Sequence, residues 1–325
     1  MTRKERLTSA VMSAAMLLGM AGFVAGPAAS ASAAAKLRIE FIPGDATDPY
    51  YLTMIRGAKL EAKKLNVLLS WTASPTWNES NETAILRTVI AKKPNGIAIT
   101  PNSPTGMIAP IRAAVKAGIQ VALVDSPLSG KQPVVTTVIM HDHKGGWEAA
   151  RLMAQLIHKQ GDVYIADASA GDATEIPRLD GFESYIQHHY PKIHVVGVEY
   201  NNDNTSVAAT QLQDILLRYP HLAGVFATNS YSGMGVGEEL KTLGKAGKIK
   251  VIAYDADPPE VQYLKSGLFQ GLVVQNPYRL GQLVVKYLVM HLRGQKVPAL
   301  VQLNPVLATR QNMNKPAIKD LFYHK

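Results

Sequence analysis

The chain has 325 residues, of which 47% are hydrophobic and 18% charged, so it can form a large core and is not a disordered protein. It contains no cysteine, which excludes disulfide bonds and thiol chemistry. Its formal net charge is +9, but the basic residues form no cluster and no stripe interleaved with aromatic residues, which argues against nucleic-acid binding. The length fits two domains.

The first 35 residues differ from the rest of the chain. Basic MTRKER (1–6) precedes an apolar stretch interrupted by Gly and Ser (11–26), and small residues then lead to Lys36. This order is typical of a signal peptide with an Ala-x-Ala cleavage site. The alternative, a membrane anchor, is disfavoured because the apolar run is shorter than the roughly 18 residues that a span requires. We predict a signal peptide at 1–35 and, with no cysteine to carry a lipid, an unanchored protein in a bacterial periplasm.

Beyond the signal, short apolar strands alternate with amphipathic stretches. LRIEFI (37–42) predicts a strand, and 48–66 predicts a helix with Asp48 as its N-cap and Pro49 in its first turn. Further strands are predicted near 67–71, 96–100, 120–124, 163–166, 194–198, 223–228, 249–254 and 270–274. This order predicts an α/β fold with parallel sheets flanked by helices on both faces.

Two parts of the chain repeat one pattern. The stretches that begin at Gly96 and Gly224 each contain an apolar strand, an Asn-Ser pair, a helix and a second strand, which ends at Asp125 and Asp255 respectively. Chance similarity of two ordinary βαβ units is the alternative. Ligands of parallel α/β sheets bind beyond the carboxyl ends of the strands. The two acids are therefore expected to face each other across a cleft.

Several motifs, in this order, resemble those of periplasmic solute-binding proteins of the type I fold, the ribose-binding-protein-like sugar-binding family of ABC transporters. The resemblance covers about residues 37–311. The motifs that carry it are DPYY (48–51), RLDGF (178–182), FATN (226–229) and LVVQNP (272–277), together with the two strand-end acids. By resemblance, the positions that bind the ligand are Asp48, Tyr50, Tyr51, Asp125, Arg178, Asn229, Asp255 and Gln275.

The chemistry of these side chains suits a polyol. Carboxylates accept several hydrogen bonds from hydroxyl groups, arginine donates several, and Asn and Gln do both. Each side chain also has a purely structural reading. The carboxyl and amide groups of Asp48 and Asn229 can cap helices, the strand-end acids can merely terminate strands, Arg178 can form a surface ion pair, and Gln275 can belong to a hinge.

The site departs from the ribose-binding pattern at several positions. Ser126 stands where that group has an arginine, and Asn202 and Asp203 stand near the position of its second-lobe aromatic. Trp71 or Trp77 is a possible replacement for stacking on the ligand. These departures from the pattern argue against ribose in particular. Separately, three acids against one arginine argue against an anionic ligand. A neutral sugar or polyol is expected, with an amine or a nucleoside as the alternative.

The resemblance also implies an organisation and partners. It places an N-terminal lobe at 36–140 plus 276–304 and a C-terminal lobe at 141–275 plus 305–325, joined by a three-crossing hinge that closes on the ligand. It implies a monomeric binding protein, not an enzyme, with no cofactor, that delivers its ligand to an ABC transporter permease. Presentation of the ligand to a chemoreceptor or sensor kinase is the alternative.

Three other signals do not change this interpretation. HDHKGG (141–146) lacks the further ligands of a metal site, and its Asp142 is expected to cap the next helix. GMGVG (233–237) does not match a phosphate-binding loop, and no Ser/His/Asp set is spaced for catalysis. A regulator of the lactose-repressor class, which shares the fold, is disfavoured because the predicted signal peptide occupies the place of its helix-turn-helix headpiece.

Overall fold

The computed structural model describes residues 35–323, so all but the last residue of the predicted signal peptide lies outside the described residues. The strands are β1 (Arg38–Ile42), β2 (Leu68–Trp71), β3 (Gly96–Ile99), β4 (Gln120–Asp125), β5 (Thr137–Met140), β6 (Gly161–Asp167), β7 (Ile193–Tyr200), β8 (Gly224–Ala227), β9 (Lys250–Tyr254), β10 (Gly271–Val274), β11 (Leu300–Leu303) and β12 (Val306–Ala308). The helices are α1 (Pro49–Lys64), α2 (Glu79–Ala91), α3 (Ile108–Lys116), α4 (Asp142–Leu156), α5 (Glu175–His189), α6 (Thr205–Arg218), α7 (Ser230–Thr242), α8 (Pro258–Ser266), α9 (Pro277–Leu292) and α10 (Pro316–Lys319).

The strands form two six-stranded sheets. The first sheet has the order β11-β5-β4-β3-β1-β2, and the second has the order β12-β10-β9-β8-β6-β7. Between residues 35 and 323, all neighbouring strands pair in parallel except β10 and β12, which are antiparallel. The predicted α/β fold with parallel sheets is therefore confirmed.

The central strands of each sheet are buried on both faces, as is usual for parallel sheets. In the first sheet, Phe41 enters one hydrophobic core and its neighbour Ile42 enters another. In the second sheet, Val225 and its neighbour Phe226 likewise enter two different hydrophobic cores. No helix within the described part of the chain is long and apolar enough to span a bilayer.

The chain passes between the two sheets three times. It leaves the first sheet after β5, returns to it after β10, and passes to the second sheet again between β11 and β12. The carboxyl ends of β4 and β9 bring Asp125 and Asp255 to the edges of their sheets. Each of these strands is the third from one end of its sheet, so the two acids occupy matching places.

Helix ends near these strands follow the sequence closely. Asp48 caps α1, as predicted, and its Oδ1 accepts a 2.7 Å hydrogen bond from the Tyr50 amide. The expected cap of α4 is wrong by one residue, because His141 holds the N-cap position and Asp142 begins the helix. The carboxylate of Asp142 does not act as the cap because it binds the Arg178 side chain at 2.9 Å.

Candidate binding cavity between the two sheets

A cavity of about 330 Å³ lies between residues that follow strands of both sheets. Its volume falls within the roughly 300–1,000 Å³ usual for small-molecule sites. The cavity is lined by all eight residues that the sequence proposed for ligand binding: Asp48, Tyr50, Tyr51, Asp125, Arg178, Asn229, Asp255 and Gln275. Residues separated by more than two hundred positions in the chain are thus brought to one place.

Asp125 is almost completely buried at the carboxyl end of β4, with 4% of its surface exposed. Its backbone has a φ of 70°, in the left-handed region that Asp and Asn tolerate better than most residues. Its carboxylate accepts a hydrogen bond from the Tyr50 hydroxyl and a second, 2.9 Å long, from the Tyr51 hydroxyl. Both tyrosines lie in the first turn of α1. Their hydroxyl groups therefore hold the carboxylate of Asp125 from the half of the molecule that contains the first sheet.

Asp255 has the same backbone conformation, with a φ of 80°, but different partners. Its Oδ1 accepts a 2.8 Å bond from the Gln275 side-chain amide and a 3.0 Å bond from the Tyr323 hydroxyl. Gln275 lies between the second sheet and α9, and Tyr323 lies beyond α10. Segments outside the repeated βαβ pattern therefore hold this second acid in place.

The two acids are connected through side chains. The Tyr50 hydroxyl, which binds Asp125, lies 3.3 Å from the Gln275 Oε1, and the Gln275 amide binds Asp255. The ring of Tyr323 also packs edge-on against the ring of Tyr50, with 5.5 Å between centroids. This chain of contacts joins the first sheet to the second and orders both acids together.

Arg178 is buried in α5 and is bound to two carboxylates. Its Nε donates to Asp142 and its Nη1 to Glu175, each at 2.9 Å, and Nη1 also donates to the Thr228 carbonyl. Its guanidinium lies 4.0 Å from the centroid of the Tyr254 ring. Burial alone would lower the pKa of Arg178, but Glu175 and Asp142 raise it well above its ordinary value. The arginine is thus a cavity residue whose charge is already paired.

Asn229 combines a structural role with a place in the cavity. Its Oδ1 accepts a 2.9 Å bond from the Ser232 amide and so caps α7, while its amide donates to Asp203 at 2.7 Å. Asp48 likewise caps a helix and lines the cavity. For these two residues the structural and the ligand-binding readings hold together.

Tyr50, Tyr51 and Trp77 form an aromatic wall of the cavity on the side of the first sheet. Trp77 lines the cavity and stacks on Tyr51, with ring centroids 6.2 Å apart and planes 17° apart. Trp71 does not line the cavity; it ends β2, where the ammonium of Lys59 lies 5.7 Å from its ring. Tyr231, at the start of α7, supplies an aromatic ring from the side of the second sheet.

Burial dominates the electrostatics of the carboxyl groups. It raises the pKa of Asp125 to about 7, against the lowering effect of the bonds from Tyr50 and Tyr51. Burial also raises the pKa values of Asp48 and Glu175 well above their ordinary values, in Asp48 together with the nearby charge of Asp257. Carboxyl groups this costly to ionise are typical of functional sites.

Several lining residues were not proposed from the sequence, among them Asp45, Asp172, Glu175 and Tyr231. Asp45 and Asp172 lie in loops, where no strand end or motif marks them. Tyr231 follows Asn229 by two residues in the first turn of α7, outside the motifs that carry the resemblance.

Comparisons with known proteins give a consistent result. A model described as a periplasmic binding protein domain matches residues 39–296. The D-allose-binding periplasmic protein of Escherichia coli is 24% identical over 284 residues, which cover 85% of this chain and 91% of that protein. A ribose import binding protein of Salmonella typhimurium is 25% identical and covers 87% of this chain and 94% of its own length.

Solved structures agree with these relatives. A solute-binding protein of an ABC transporter from Agrobacterium vitis, bound to α-D-tagatopyranose, has a TM-score of 0.86 and 33% identity, covering 89% of this chain and 100% of its own. A carbohydrate-transporter solute-binding protein from Agrobacterium radiobacter, in complex with D-arabinose, has a TM-score of 0.85 and 29% identity, covering 89% and 99%. With its two-sheet α/β fold and a family match over most of its length, the chain belongs to the periplasmic binding protein domain family, a family of binding proteins with type I architecture.

Proposed function

We propose that this protein is the substrate-binding component of an ABC importer and that it binds a sugar or polyol of monosaccharide size, without negative charge, in the cavity between the two sheets. The observation that carries the proposal is the pair Asp125 and Asp255, which line one cavity from opposite sheets. Their carboxylates accept hydroxyl hydrogen bonds. The relatives named above that bind D-allose, ribose, α-D-tagatopyranose and D-arabinose support the ligand class.

Ligand capture in this proposal uses a hinge between an N-terminal lobe (36–140 plus 276–304) and a C-terminal lobe (141–275 plus 305–325). The three passages between the sheets supply short connections that can flex while each sheet stays rigid. Closure removes water from the cavity, and hydrogen bonds between ligand and protein are stronger in a drier site. The closed form then docks on the permease.

Export is part of the same proposal. Residues 1–35 act as the signal peptide, and the mature protein works in the periplasm. Mass spectrometry of the protein recovered from a periplasmic fraction tests this: we expect an amino terminus within a few residues of Lys36. An intact chain beginning at Met1 would contradict it.

The ligand is tested with a thermal-shift screen of residues 36–325 against pentoses, hexoses, deoxy sugars and sugar alcohols, with nucleosides and amino acids as other classes. A ligand at about 1,000 times its dissociation constant stabilises by about 4 kcal/mol, which shifts the Tm by several degrees. We expect such a shift with at least one sugar or polyol. A shift with only a nucleoside or an amino acid would overturn the ligand class.

Transport is tested separately from binding. Cells that lack this gene are expected to lose uptake of the labelled sugar identified by the screen, and the wild-type gene is expected to restore it. Normal uptake without the gene would contradict a role in import while leaving the binding function intact.

A further inference from the structure

Carboxyl groups greatly outnumber cations around the cavity. Besides Asp125 and Asp255, five acids line it: Asp45, Asp48, Asp172, Glu175 and Asp203. Within residues 35–323, Arg178 is the single Lys or Arg among the lining residues. This imbalance is much larger than the three acids and one arginine that the sequence suggested.

Arg178 does not offset the negative charge of the other lining acids, because its guanidinium is already bound to two carboxylates. Its Nε and Nη1 donate to Asp142, behind the cavity, and to Glu175. Even so, Oε2 of Glu175 is buried and has no hydrogen-bond partner among the described residues, and Glu175 as a whole is 5% exposed. A buried, unpartnered carboxylate oxygen at a cavity wall is costly unless a ligand supplies a donor.

The acids are concentrated at one side of the cavity, where both halves of the molecule contribute. Asp45, Asp172 and Asp203 all line the cavity, and the charges of Asp172 and Asp45 add to burial in raising the pKa of Asp203. Asp45 precedes α1, whereas Asp172 and Asp203 follow strands of the second sheet. We call these three residues the acidic corner.

Each acid of the acidic corner uses one oxygen for structure. Oδ1 of Asp45 accepts from Thr47 and Oδ1 of Asp172 accepts from Thr174, while Oδ1 of Asp203 accepts from Asn229. The second oxygen of each accepts no hydrogen bond from residues 35–323. Each of these acids therefore keeps one carboxylate oxygen that can accept a hydrogen bond from an ammonium group, which has three N–H donors.

We propose that the ligand is an amine-bearing sugar or polyol, whose ammonium group binds in the acidic corner while its hydroxyl groups bind Asp125 and Asp255. The cation offsets the repulsion among the acids as the cavity closes, and its hydrogen bonds to carboxylates are stronger than those between neutral groups. A bound metal ion is a weaker explanation, since no group of His, Cys, Asp or Glu side chains in the described residues is arranged to hold one. This proposal rests on the proposed sugar-binding function.

The test is calorimetric titration of residues 36–325 with matched trios: D-glucosamine, D-glucose and N-acetyl-D-glucosamine, and the same three forms of galactose and mannose. N-methyl-D-glucamine and sorbitol form a matched pair for open-chain polyols. We expect at least one amine to bind about tenfold or more tightly than its neutral parent and its N-acetyl form, with an advantage that shrinks as salt is added. Asp203→Asn is expected to remove most of that advantage, and Asp45→Asn provides a second variant if Asp203→Asn does not fold.

The controls separate the two proposals. The exposed Asp214→Asn variant is expected to keep the full preference for the amine. Tighter or equal binding of a neutral parent sugar would overturn the amine proposal and leave the sugar-binding function standing. Failure of every amine and every neutral sugar to bind would overturn both, and stabilisation by calcium chloride alone would assign the acidic corner to a metal instead.

Discussion

Asp125 and Asp255 hold matching places in the two sheets and share a left-handed backbone, with φ values of 70° and 80°, yet their surroundings differ. Asp125 accepts hydrogen bonds from two tyrosines of one helix, α1. Asp255 accepts from Gln275, at a passage between the sheets, and from Tyr323, near the end of the chain. The repeated βαβ pattern supplies both acids, but the two donors to Asp125 come from one helix, whereas the two donors to Asp255 come from segments 48 residues apart in the chain.

In the proposed hinge mechanism, this difference assigns the coupling between ligand binding and lobe movement to Asp255. Any change at the passage between β10 and α9 moves Gln275 and therefore disturbs Asp255 directly. Asp125 is reached only indirectly, through Tyr50, whose hydroxyl lies 3.3 Å from Gln275 and whose ring packs against Tyr323. We therefore expect Asp125 to act as a fixed anchor and Asp255 to act as the acid whose position depends on the hinge.

The largest expected effect is on stability, and it concerns Arg178, whose ion-pair partners both lie in the half that contains the second sheet. Arg178→Met leaves Asp142 and Glu175 buried without their partner, and breaking a buried ion pair in this way costs about 3–5 kcal/mol in the free energy of unfolding. Urea denaturation measures the loss. Arg151→Met, which removes a partly exposed pair with Glu148, is the control and should cost about 1 kcal/mol or less. A loss below about 1 kcal/mol in Arg178→Met would show that the buried pairs are not important for stability.

The next effect tests the link between the two acids. Gln275→Leu removes the amide donor to Asp255 and the acceptor near Tyr50, so Oδ1 of Asp255 keeps only the bond from Tyr323, and the loss of a hydrogen bond to a charged group costs about 1.5–3 kcal/mol. The same substitution at the exposed Gln302 is the matched control and should be nearly neutral. Equal stability of the two leucine variants would remove the argument that Gln275 orders Asp255.

A pH series tests the anchor itself. Burial raises the pKa of Asp125 from 3.8 to about 7, so the folded protein holds a proton that the unfolded chain releases. Stability from this group is therefore full below pH 4 and is lost as the pH rises to about 7. Asp125→Asn removes the charge and tolerates the left-handed backbone, so we expect it to be more stable than wild type at pH 8, by about 1–2 kcal/mol, and similar at pH 4. A wild type that is more stable than Asp125→Asn at pH 8 would contradict the cause assigned to the shift.

The smallest effect compares the phenols on the two acids. Tyr323→Phe and Tyr51→Phe each remove one hydroxyl donor, at 3.0 Å from Asp255 and 2.9 Å from Asp125. Each should lower the free energy of unfolding by about 1 kcal/mol. Because the position of Asp255 is expected to depend on the hinge, ligand affinity should fall further in Tyr323→Phe than in Tyr51→Phe. The reverse order of affinities would show that the two acids do not differ in the way described.

Much of the fold was predictable because it depends on local patterns. Apolar runs of β-branched residues marked the strands of the two sheet centres, and Asp48 with Pro49 marked the start of α1. Strands β5, β11 and β12, each of three or four residues and toward the edge of its sheet, were not predicted. Their pairing is decided by neighbouring strands, which a single sequence does not display.

The cavity residues likewise include some that the sequence identified and others that it did not. Asp125 and Asp255 were identifiable because strand ends meet at one edge of a parallel sheet. Glu175, Asp45 and Asp172 were not, because they stand in loops or at a helix start and line the cavity only when the two sheets are placed face to face, and Asp203 was noted only through the resemblance. Tyr323 carries no signal at all: its contact with Asp255 spans 68 positions and depends on how the end of the chain packs.

The central claim is that one ligand contacts acids from both sheets, and calorimetric titration of the tightest-binding sugar into wild type, Asp125→Ala and Asp255→Ala tests it most directly. Each carboxylate accepts strong hydrogen bonds from the ligand, so its loss costs about 3 kcal/mol or more. The account predicts one ligand per chain and a loss of affinity of at least about 100-fold in each variant. Wild-type affinity in either variant would show that the ligand contacts only one sheet and would contradict the account.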